Sequence, residues 1–260
     1  MLKADLVIDA AREVTGDLYL PDIAGPHPVV VAVHGGGWRR GSRKALAQWG
    51  RFLAANGIAM LATSYRLTTA GAVWPHNVGD VAASLDYVRT FGAQHGLDGQ
   101  RIAMLGASAG AHLAALVALQ TPGLRALAGV YGVYDLTTHW QSDLIKNPAP
   151  GEDPTVRMLG ATPIDNPRLY FEASPISYVT HPAVAGLKVQ LIYGDHDHDI
   201  DCAQSLAFAQ RLRQAGAQVA CVPVLGAGHM WFSSEDMLDA TSHCAYAAPR
   251  LLAFLKQALS

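Results

Sequence analysis

Short apolar runs alternate with segments of helical periodicity along most of the chain, and this alternation restricts the fold more than any other feature. The apolar runs include PVVVAV at 28–33, IAMLAT at 58–63 and RIAML at 101–105. Strands that are apolar on both faces and are separated by helices predict a mostly parallel central sheet with helices on both faces. We therefore expect an α/β fold that forms a single domain over residues 1–260.

Six strands and five helices follow from the periodicity. The predicted strands are 28–33, 58–63, 101–105, 127–131, 188–193 and 218–224, and the predicted helices are 44–55, 77–94, 109–120, 203–215 and 245–258. Residues 133–182 differ, because they hold seven of the fourteen prolines and no long periodic segment. This stretch predicts either a short cap or substrate-covering insertion or an irregular surface excursion.

The composition excludes several classes of protein. Half of the residues are hydrophobic, so the chain can build a large core. The net charge is −2, so the chain lacks the excess of basic residues that is typical of proteins that bind nucleic acid. No stretch approaches the roughly 20 apolar residues of a membrane helix, and the N-terminal residues lack the apolar run of a signal peptide. Cys202, Cys221 and Cys244 form no CxxC and predict reduced thiols in a cytoplasmic protein. Nothing in the pattern indicates an oligomeric state.

The motif GASAG at 106–110 places a serine between a strand and a helix. It follows the apolar run RIAML directly and opens the helical segment AHLAALVAL. A nucleophile elbow needs this strand–turn–helix context, and its sharp turn needs small neighbours, which Gly and Ala provide. Ser108 is therefore the candidate nucleophile, with an ordinary small-residue turn as the alternative.

A glycine-rich loop, HGGGW at 34–38, follows the first predicted strand. Glycines let backbone amides approach a substrate without interference from Cβ, and such amides stabilise the charge that develops on a carbonyl oxygen in acyl transfer. Gly35 and Gly36, with the amide of Ala109, are predicted to form an oxyanion hole, and Gly37 is a further candidate. His34 is predicted to brace the loop. A phosphate-binding loop is excluded, since GxxxxGK[ST] and GxGxxG are both absent.

The acid and the base of a catalytic triad are predicted after the last two strands. In an α/β sheet of this kind the triad runs Ser, Asp or Glu, then His. GDHDHDID at 194–201 follows an apolar strand, and His229 lies downstream in the glycine-flanked loop GAGHMW. The residues alone leave Asp195, Asp197 and Asp199 open as the acid.

The same cluster raises the alternative of a metal site, which we disfavour. If the strand continued, the four aspartates would share one face and His196 and His198 the other, so neither face would offer a mixed ligand set. The spacing and the glycine of a calcium loop are also missing. No metal is predicted, and the remaining carboxylates are interpreted as turn formers and as N-caps of the helix near Ala203.

Together these motifs resemble the α/β-hydrolase superfamily. HGGGWxxG, SYRL followed by a proline and NVGDVAASLDYV, GASAG, GDHD and GAGHMW are similar to carboxylesterases with an HGGGW loop. These lie near hormone-sensitive-lipase-like esterases, feruloyl and acetylxylan esterases, and arylformamidases. The resemblance runs from about Val29 to Trp231 and implies an α/β-hydrolase fold with Asp197, three residues after the strand-ending Gly194, as the acid. The segment TTAGAVWP departs from the family pattern, and Arg66 and Asp80 are expected to brace it as an ion pair.

The resemblance implies a serine carboxylesterase that hydrolyses small to medium carboxylic esters through Ser108, His229 and Asp197 and requires no cofactor. An arylformamidase or other amide hydrolase would use the same residues, and a ligand-binding receptor of this fold is the alternative outside enzymes. Trp38, Trp74 and Trp231, with Trp140, lie in or near the predicted site loops. They predict an aromatic substrate pocket or ordinary packing.

Overall fold

The protein is described here by a computed structural model that covers residues 1–146 and 153–260. Its strands are β1 (Leu2–Asp9), β2 (Val14–Tyr19), β3 (His27–Val33), β4 (Ala59–Thr63), β5 (Leu97–Ala107), β6 (Ala126–Val130), β7 (Lys188–Gly194) and β8 (Gln218–Val224). Its α-helices are α1 (Ala47–Ala55), α2 (His76–Phe91), α3 (Ala109–Gln120), α4 (Leu136–Lys146), α5 (Pro154–Leu159), α6 (Pro167–Ala173), α7 (His181–Val184), α8 (Ala203–Gln214), α9 (Trp231–Ser234) and α10 (His243–Ala258). Short 3-10 helices occupy Arg43–Leu46, Gly92–His95 and Pro175–Tyr178.

The described strands form one sheet in the order β1-β2-β4-β3-β5-β6-β7-β8. β2 is antiparallel to both of its neighbours, and every other pair is parallel. Val33 of β3 lies opposite Gly106 of β5, and Ala107 of β5 lies opposite Val130 of β6. The loops that follow these strands therefore leave from one carboxyl edge, which is where α/β sheets place their sites.

Helices cover both faces of the sheet, and β3 illustrates the arrangement. Val29, Val31 and Val33 belong to the core shared with α2, α3 and α8, whereas Val30 and Ala32 belong to the core shared with α1 and α10. Alternate side chains of a strand point to opposite faces, so a strand buried on both faces must be apolar throughout. The predicted mostly parallel sheet with helices on both faces is confirmed.

β1 and β2 are the strands that the sequence did not predict. β1 alternates charged and apolar residues and is largely exposed. β2 is buried but contains Gly16 and Asp17, so it lacks the continuous apolar run that marks the inner strands. β1 is the edge strand, and β2 lies between it and β4. An edge strand has a neighbour on one side only, so β1 pairs without a buried apolar run.

Residues 133–182 contain more helix than their sequence pattern predicts. Pro148 and Pro150, and all of 147–152, lie outside the described residues, while the described parts form α4, α5, α6, a 3-10 turn and α7. Three of these helices have a proline in the first turn behind a capping side chain. The proline is the first residue of α5 and α6 and the second residue, Pro182, of α7. The caps are Asp153, Asn166 and Thr180. The prolines therefore start helices, since a proline in the first turn loses no hydrogen bond. That this stretch acts as a cap stays a prediction.

In the two described ranges, no helix combines the length and the apolar character that crossing a membrane requires.

Candidate active site

Ser108 lies between β5 and α3 in a strained backbone conformation. Its φ of 55° and ψ of −124° are rarely adopted by a residue with a side chain, and such strain costs about 1–3 kcal/mol. The turn is closely packed, because a Cβ on Gly106 would lie 2.3 Å from the Gly110 carbonyl oxygen and one on Gly110 would lie 2.2 Å from that of Val33. The amide of Ser108 donates to the Val130 carbonyl at 2.9 Å. Glycines at 106 and 110 thus let the turn present the serine above the sheet.

Asp197, His229 and Ser108 form a continuous hydrogen-bond chain. The Nδ1 of His229 lies 2.7 Å from Asp197 Oδ2, and its Nε2 lies 3.0 Å from Ser108 Oγ. The side chains of Asp197 and His229 are 1% and 9% exposed. The second oxygen of Asp197 accepts from the amides of Asp199 and Ile200, at 3.0 and 2.9 Å, and this fixes the carboxylate. The structure brings together the three residues that the sequence predicted as a triad.

The HGGGW loop lies against the serine turn. A Cβ on Gly35 would lie 3.1 Å from the Cβ of Ser108, and one on Gly36, whose φ is +123°, would lie 2.0 Å from the Arg40 carbonyl oxygen. Gly36, Gly37 and Ala109 line the same pocket as Ser108, whereas Gly35 is not part of that lining. The amide of Ala109 is in the first turn of α3, where amides have no partner within the helix.

His34 braces the loop, as the sequence predicted. Its Nδ1 donates to the Gly35 carbonyl at 2.8 Å, and its ring stacks on Tyr65 at 4.5 Å between centroids. The hydroxyl of Tyr65 donates to the His34 carbonyl at 3.1 Å. Burial lowers the pKa of His34, which favours the neutral ring.

A pocket of about 570 Å³ opens above Ser108. Its wall mixes the apolar side chains of Val133, Ile200 and Met230 with charged and imidazole groups. The polar wall residues are Arg39, Arg40, His139, Asp143, Asp153, His198 and Asp199. The volume is that of a small-molecule site, which is typically about 300–1,000 Å³.

The predicted substrate-binding tryptophans are placed differently from one another. Trp38 lines the pocket, but Trp74 and Trp231 do not belong to its lining. Trp231 is 2% exposed and packs edge-to-face on Tyr131, and Trp74 and Trp140 pack against the core. Trp231 is thus placed in the core, whereas Trp74 is half-buried and lies outside the pocket lining. That either tryptophan contacts a substrate stays a prediction.

Tyr131 is a site residue that the sequence reasoning missed. It follows β6 with a φ of +37°, and its ring lies 4.5 Å from the ring of His229 between centroids. Burial raises the pKa of its phenol, so the group stays neutral. Its position directly after a predicted apolar strand could have indicated a site residue, because the same edge of the sheet holds Ser108 and Asp197.

The other carboxylates of GDHDHDID act in the backbone of the turn. Asp195 Oδ1 accepts from the Gly226 amide at 2.6 Å and thereby joins this turn to the loop that carries His229. Asp201 Oδ1 accepts from the Ala203 amide at 2.8 Å, at the start of α8. Asp195 agrees with the predicted turn-forming role, whereas Asp201 bonds the first amide of α8 from the position before the N-cap, which is Cys202. Over residues 1–146 and 153–260, no group of three acidic, His or Cys side chains is arranged to hold a metal ion.

Arg66 and Asp80 form the predicted ion pair. Arg66 Nε and one of its terminal nitrogens donate to the two carboxylate oxygens at 2.7 and 2.8 Å, and the Arg66 amide donates to Oδ2 at 3.0 Å. Asp80 is fully buried on α2. The pair therefore attaches the chain that follows β4 to α2.

Comparison with known proteins gives one consistent family. The family model BD-FAE matches residues 16–212, which is most of the chain. Esterase LipC of Mycobacterium tuberculosis (strain ATCC 25618 / H37Rv) is 33% identical over 232 residues, covering 82% of this chain and 54% of LipC. Esterase LipQ of the same organism is 33% identical over 228 residues, covering 82% and 52%. The chain thus spans about half the length of these curated relatives.

Solved structures share the fold. Carboxyl esterase 2 from Tuber melanosporum superposes with a TM-score of 0.81 at 24% identity, over 100% of this chain and 86% of that one. A bacterial heroin esterase gives a TM-score of 0.81 at 23% identity, over 100% and 84%. The fold inferred from the motifs is therefore the fold of known esterase structures, and the chain belongs to the BD-FAE family within the α/β-hydrolase superfamily.

Proposed function

We propose that this protein is a serine carboxylesterase that hydrolyses small to medium carboxylic esters. One observation carries the proposal, namely the hydrogen-bond chain from Asp197 through His229 to Ser108 Oγ at the base of an open pocket. Membership of a family whose relatives include named esterases supports the same reaction.

In the proposed mechanism Ser108 is the nucleophile. Asp197 holds the proton of His229 on Nδ1, so the lone pair of Nε2 faces Ser108 Oγ. His229 takes the serine proton as Oγ bonds to the ester carbonyl carbon and the carbonyl π electrons move to oxygen. His229 then gives that proton to the departing alcohol, which leaves an acyl-enzyme. Water repeats the sequence on the acyl group and releases the acid.

The negative charge on the carbonyl oxygen is assigned to backbone amides. We assign it to Gly36 and Ala109, as the sequence predicts, and to Gly37 in place of Gly35, because Gly36, Gly37 and Ala109 line the pocket with Ser108 whereas Gly35 does not. Preorganised amides of this kind often contribute more to the rate of acyl transfer than any other group, and loss of one donor costs about 10²–10³ in kcat. Each step uses a side chain or amide of the protein or water, so the mechanism needs no cofactor.

Substitution of the serine tests the assignment. Ser108→Ala is expected to lower kcat/KM for a p-nitrophenyl ester by at least about 10³, because only oxyanion and binding contributions remain. Ser234→Ala, which removes an exposed hydroxyl bonded to the Met230 carbonyl, is the matched control and is expected to keep full activity. A purified Ser108→Ala variant with near wild-type activity would refute the triad.

A hydrolysis profile separates esterase from amidase activity, since an arylformamidase would use the same residues. We expect p-nitrophenyl esters of short and medium chains to react faster than matched amides and aryl formamides. Faster turnover of the formamides would assign the chain to that activity instead.

Labelling of Ser108 by a fluorophosphonate excludes a ligand-binding receptor, because a protein without an activated serine does not react.

A further inference from the structure

A buried hydrogen-bond bridge joins the HGGGW loop to α3 and α6. Trp38 Nε1 lies 3.2 Å from His112 Nδ1, and His112 Nε2 lies 2.8 Å from the carbonyl oxygen of Ala173. Trp38 is 1% exposed, and His112 and Ala173 are fully buried. The bridge connects segments that are 74 and 61 residues apart in sequence.

The two partners of His112 determine where its proton is. An indole N–H can only donate and a carbonyl oxygen can only accept, so Nδ1 is the acceptor and Nε2 carries the hydrogen. Burial lowers the pKa of His112 to about 4, and the ring therefore stays neutral at the pH of most assays. A neutral imidazole is suited to this place because it accepts on one side and donates on the other.

The bridge holds a backbone that is otherwise unfavourable. Trp38 has a φ of +55°, a value that residues with a side chain rarely adopt, and it follows Gly36 and Gly37 in the oxyanion loop. Its carbonyl also accepts from the Thr68 amide at 3.0 Å. His112 lies four residues after Ser108 on α3, one helical turn from the nucleophile. One side chain thus fixes the loop relative to the helix that carries Ser108.

We propose that His112 is a positioning residue that, through Trp38, holds the Gly36 and Gly37 amides in register with Ser108. It does not touch the reacting atoms. The inference rests on the proposed esterase activity and adds a specific consequence, which is that loss of the bridge weakens stabilisation of the oxyanion while ground-state binding of the ester is preserved.

The test compares His112→Phe with His112→Gln. Phenylalanine removes both hydrogen bonds, whereas glutamine keeps one acceptor and one donor on a neutral side chain. We expect His112→Phe to lower kcat about tenfold with KM changed by less than about twofold, because displaced amides lose part of the contribution of an oxyanion donor. His112→Gln is expected to retain kcat within about threefold. All rates are divided by the amount of Ser108 that a fluorophosphonate titrates.

A trifluoromethyl ketone provides a second readout. Its carbonyl carbon bonds to Ser108 Oγ and its oxygen becomes an oxyanion in the hole, so its affinity is expected to fall about as much as kcat in His112→Phe.

Trp38→Phe removes only the donor and is expected to give a similar loss of kcat. The double variant is expected to lose little more than either single variant. If His112→Phe does not fold, Trp38→Phe tests the same hydrogen bond.

The control is Trp49→Phe. It removes another buried indole N–H, which donates to the Phe232 carbonyl at 2.7 Å on the opposite face of the sheet. It is expected to lower Tm and to leave kcat per titrated Ser108 unchanged.

A merely structural His112 would behave in the same way, so unchanged kcat per site in both His112→Phe and Trp38→Phe would overturn the proposal. Equal losses in His112→Phe and His112→Gln would also overturn it. A wild-type protein that neither hydrolyses esters nor labels would instead refute the proposed function.

Discussion

At the scale of single residues, neighbouring aspartates differ in what their oxygens contact. Asp197 Oδ2 meets His229, while Asp195 Oδ1 accepts from the amide of Gly226. Asp199 lines the pocket and donates its own amide to Asp197. Chemically identical side chains within five residues therefore have separate roles, which are set by the turn that follows β7 rather than by the residue type.

These contacts predict different effects of substitution to asparagine. Asp197→Asn is expected to lower kcat/KM for a p-nitrophenyl ester by about 10³ or more, because an amide no longer holds the imidazole in the reactive tautomer. Asp195→Asn and Asp199→Asn keep an acceptor oxygen and are expected to stay within about tenfold of wild type. Circular dichroism and the Tm of each purified variant check folding. A larger loss in Asp199→Asn than in Asp197→Asn would transfer the acid role to Asp199.

Backbone strain is concentrated near the proposed site. In the described part of the chain six non-glycine residues have a positive φ, and four of them border the carboxyl edge of the sheet. These four are Trp38, Ser108, Tyr131 and Met230. Such conformations persist only where surrounding contacts hold them in place. The clustering therefore indicates that the packing around this edge maintains strained backbone conformations, which lowers local stability.

At the scale of elements, the Arg66–Asp80 pair attaches the chain after β4 to α2. Arg66→Met keeps most of the aliphatic stem but leaves the Asp80 carboxylate, with its side chain 1% exposed, without its main cation. We expect a loss of about 2 kcal/mol in the free energy of unfolding, less than the roughly 3–5 kcal/mol typical of a fully buried pair, because the Arg66 side chain is 37% exposed. Asp80→Asn leaves an arginine that water still reaches, so it is expected to cost less.

Urea unfolding measures both variants, and kcat per titrated Ser108 is measured beside it. The expected result is a change in stability with kcat altered by less than about twofold. A large fall in kcat without a fall in stability would contradict a bracing role and place the pair in the catalytic machinery.

The inner strands can be predicted from the sequence, because a strand that is buried on both faces must be apolar throughout, as β3 is. The serine turn can be predicted as well, because its close contacts leave room only for small residues such as Gly106. Other features depend on tertiary pairing that no local pattern reports. β1 pairs at an exposed edge with charged residues in its run, and Trp231 is taken into the core beside His229. His112 looks like any residue of an apolar helix until Trp38 and Ala173, distant in the chain, are seen on its two sides.

At the scale of the whole molecule, the buried His112 makes global stability depend on pH. Its pKa is about 4 in the folded protein, against about 6.5 for an exposed histidine. As the pH falls below 6.5 the unfolded chain binds a proton that the folded chain does not, so stability is complete above 6.5 and is lost progressively towards pH 4. Between pH 7 and pH 5 this linkage is worth roughly 2 kcal/mol at about 1.36 kcal/mol per pH unit.

His112→Gln isolates this contribution, because glutamine does not titrate and occupies the same bridge. We expect the wild-type protein to lose about 2 kcal/mol more than His112→Gln when urea unfolding at pH 7 is compared with unfolding at pH 5. Other titrating groups, including His34, act in both proteins and cancel in the difference. Equal losses in the two proteins would mean that the folded protein binds a proton on His112 at pH 5 as readily as the unfolded chain does. In that case Nδ1 would not accept from Trp38 at pH 5, and burial would not lower the pKa of His112.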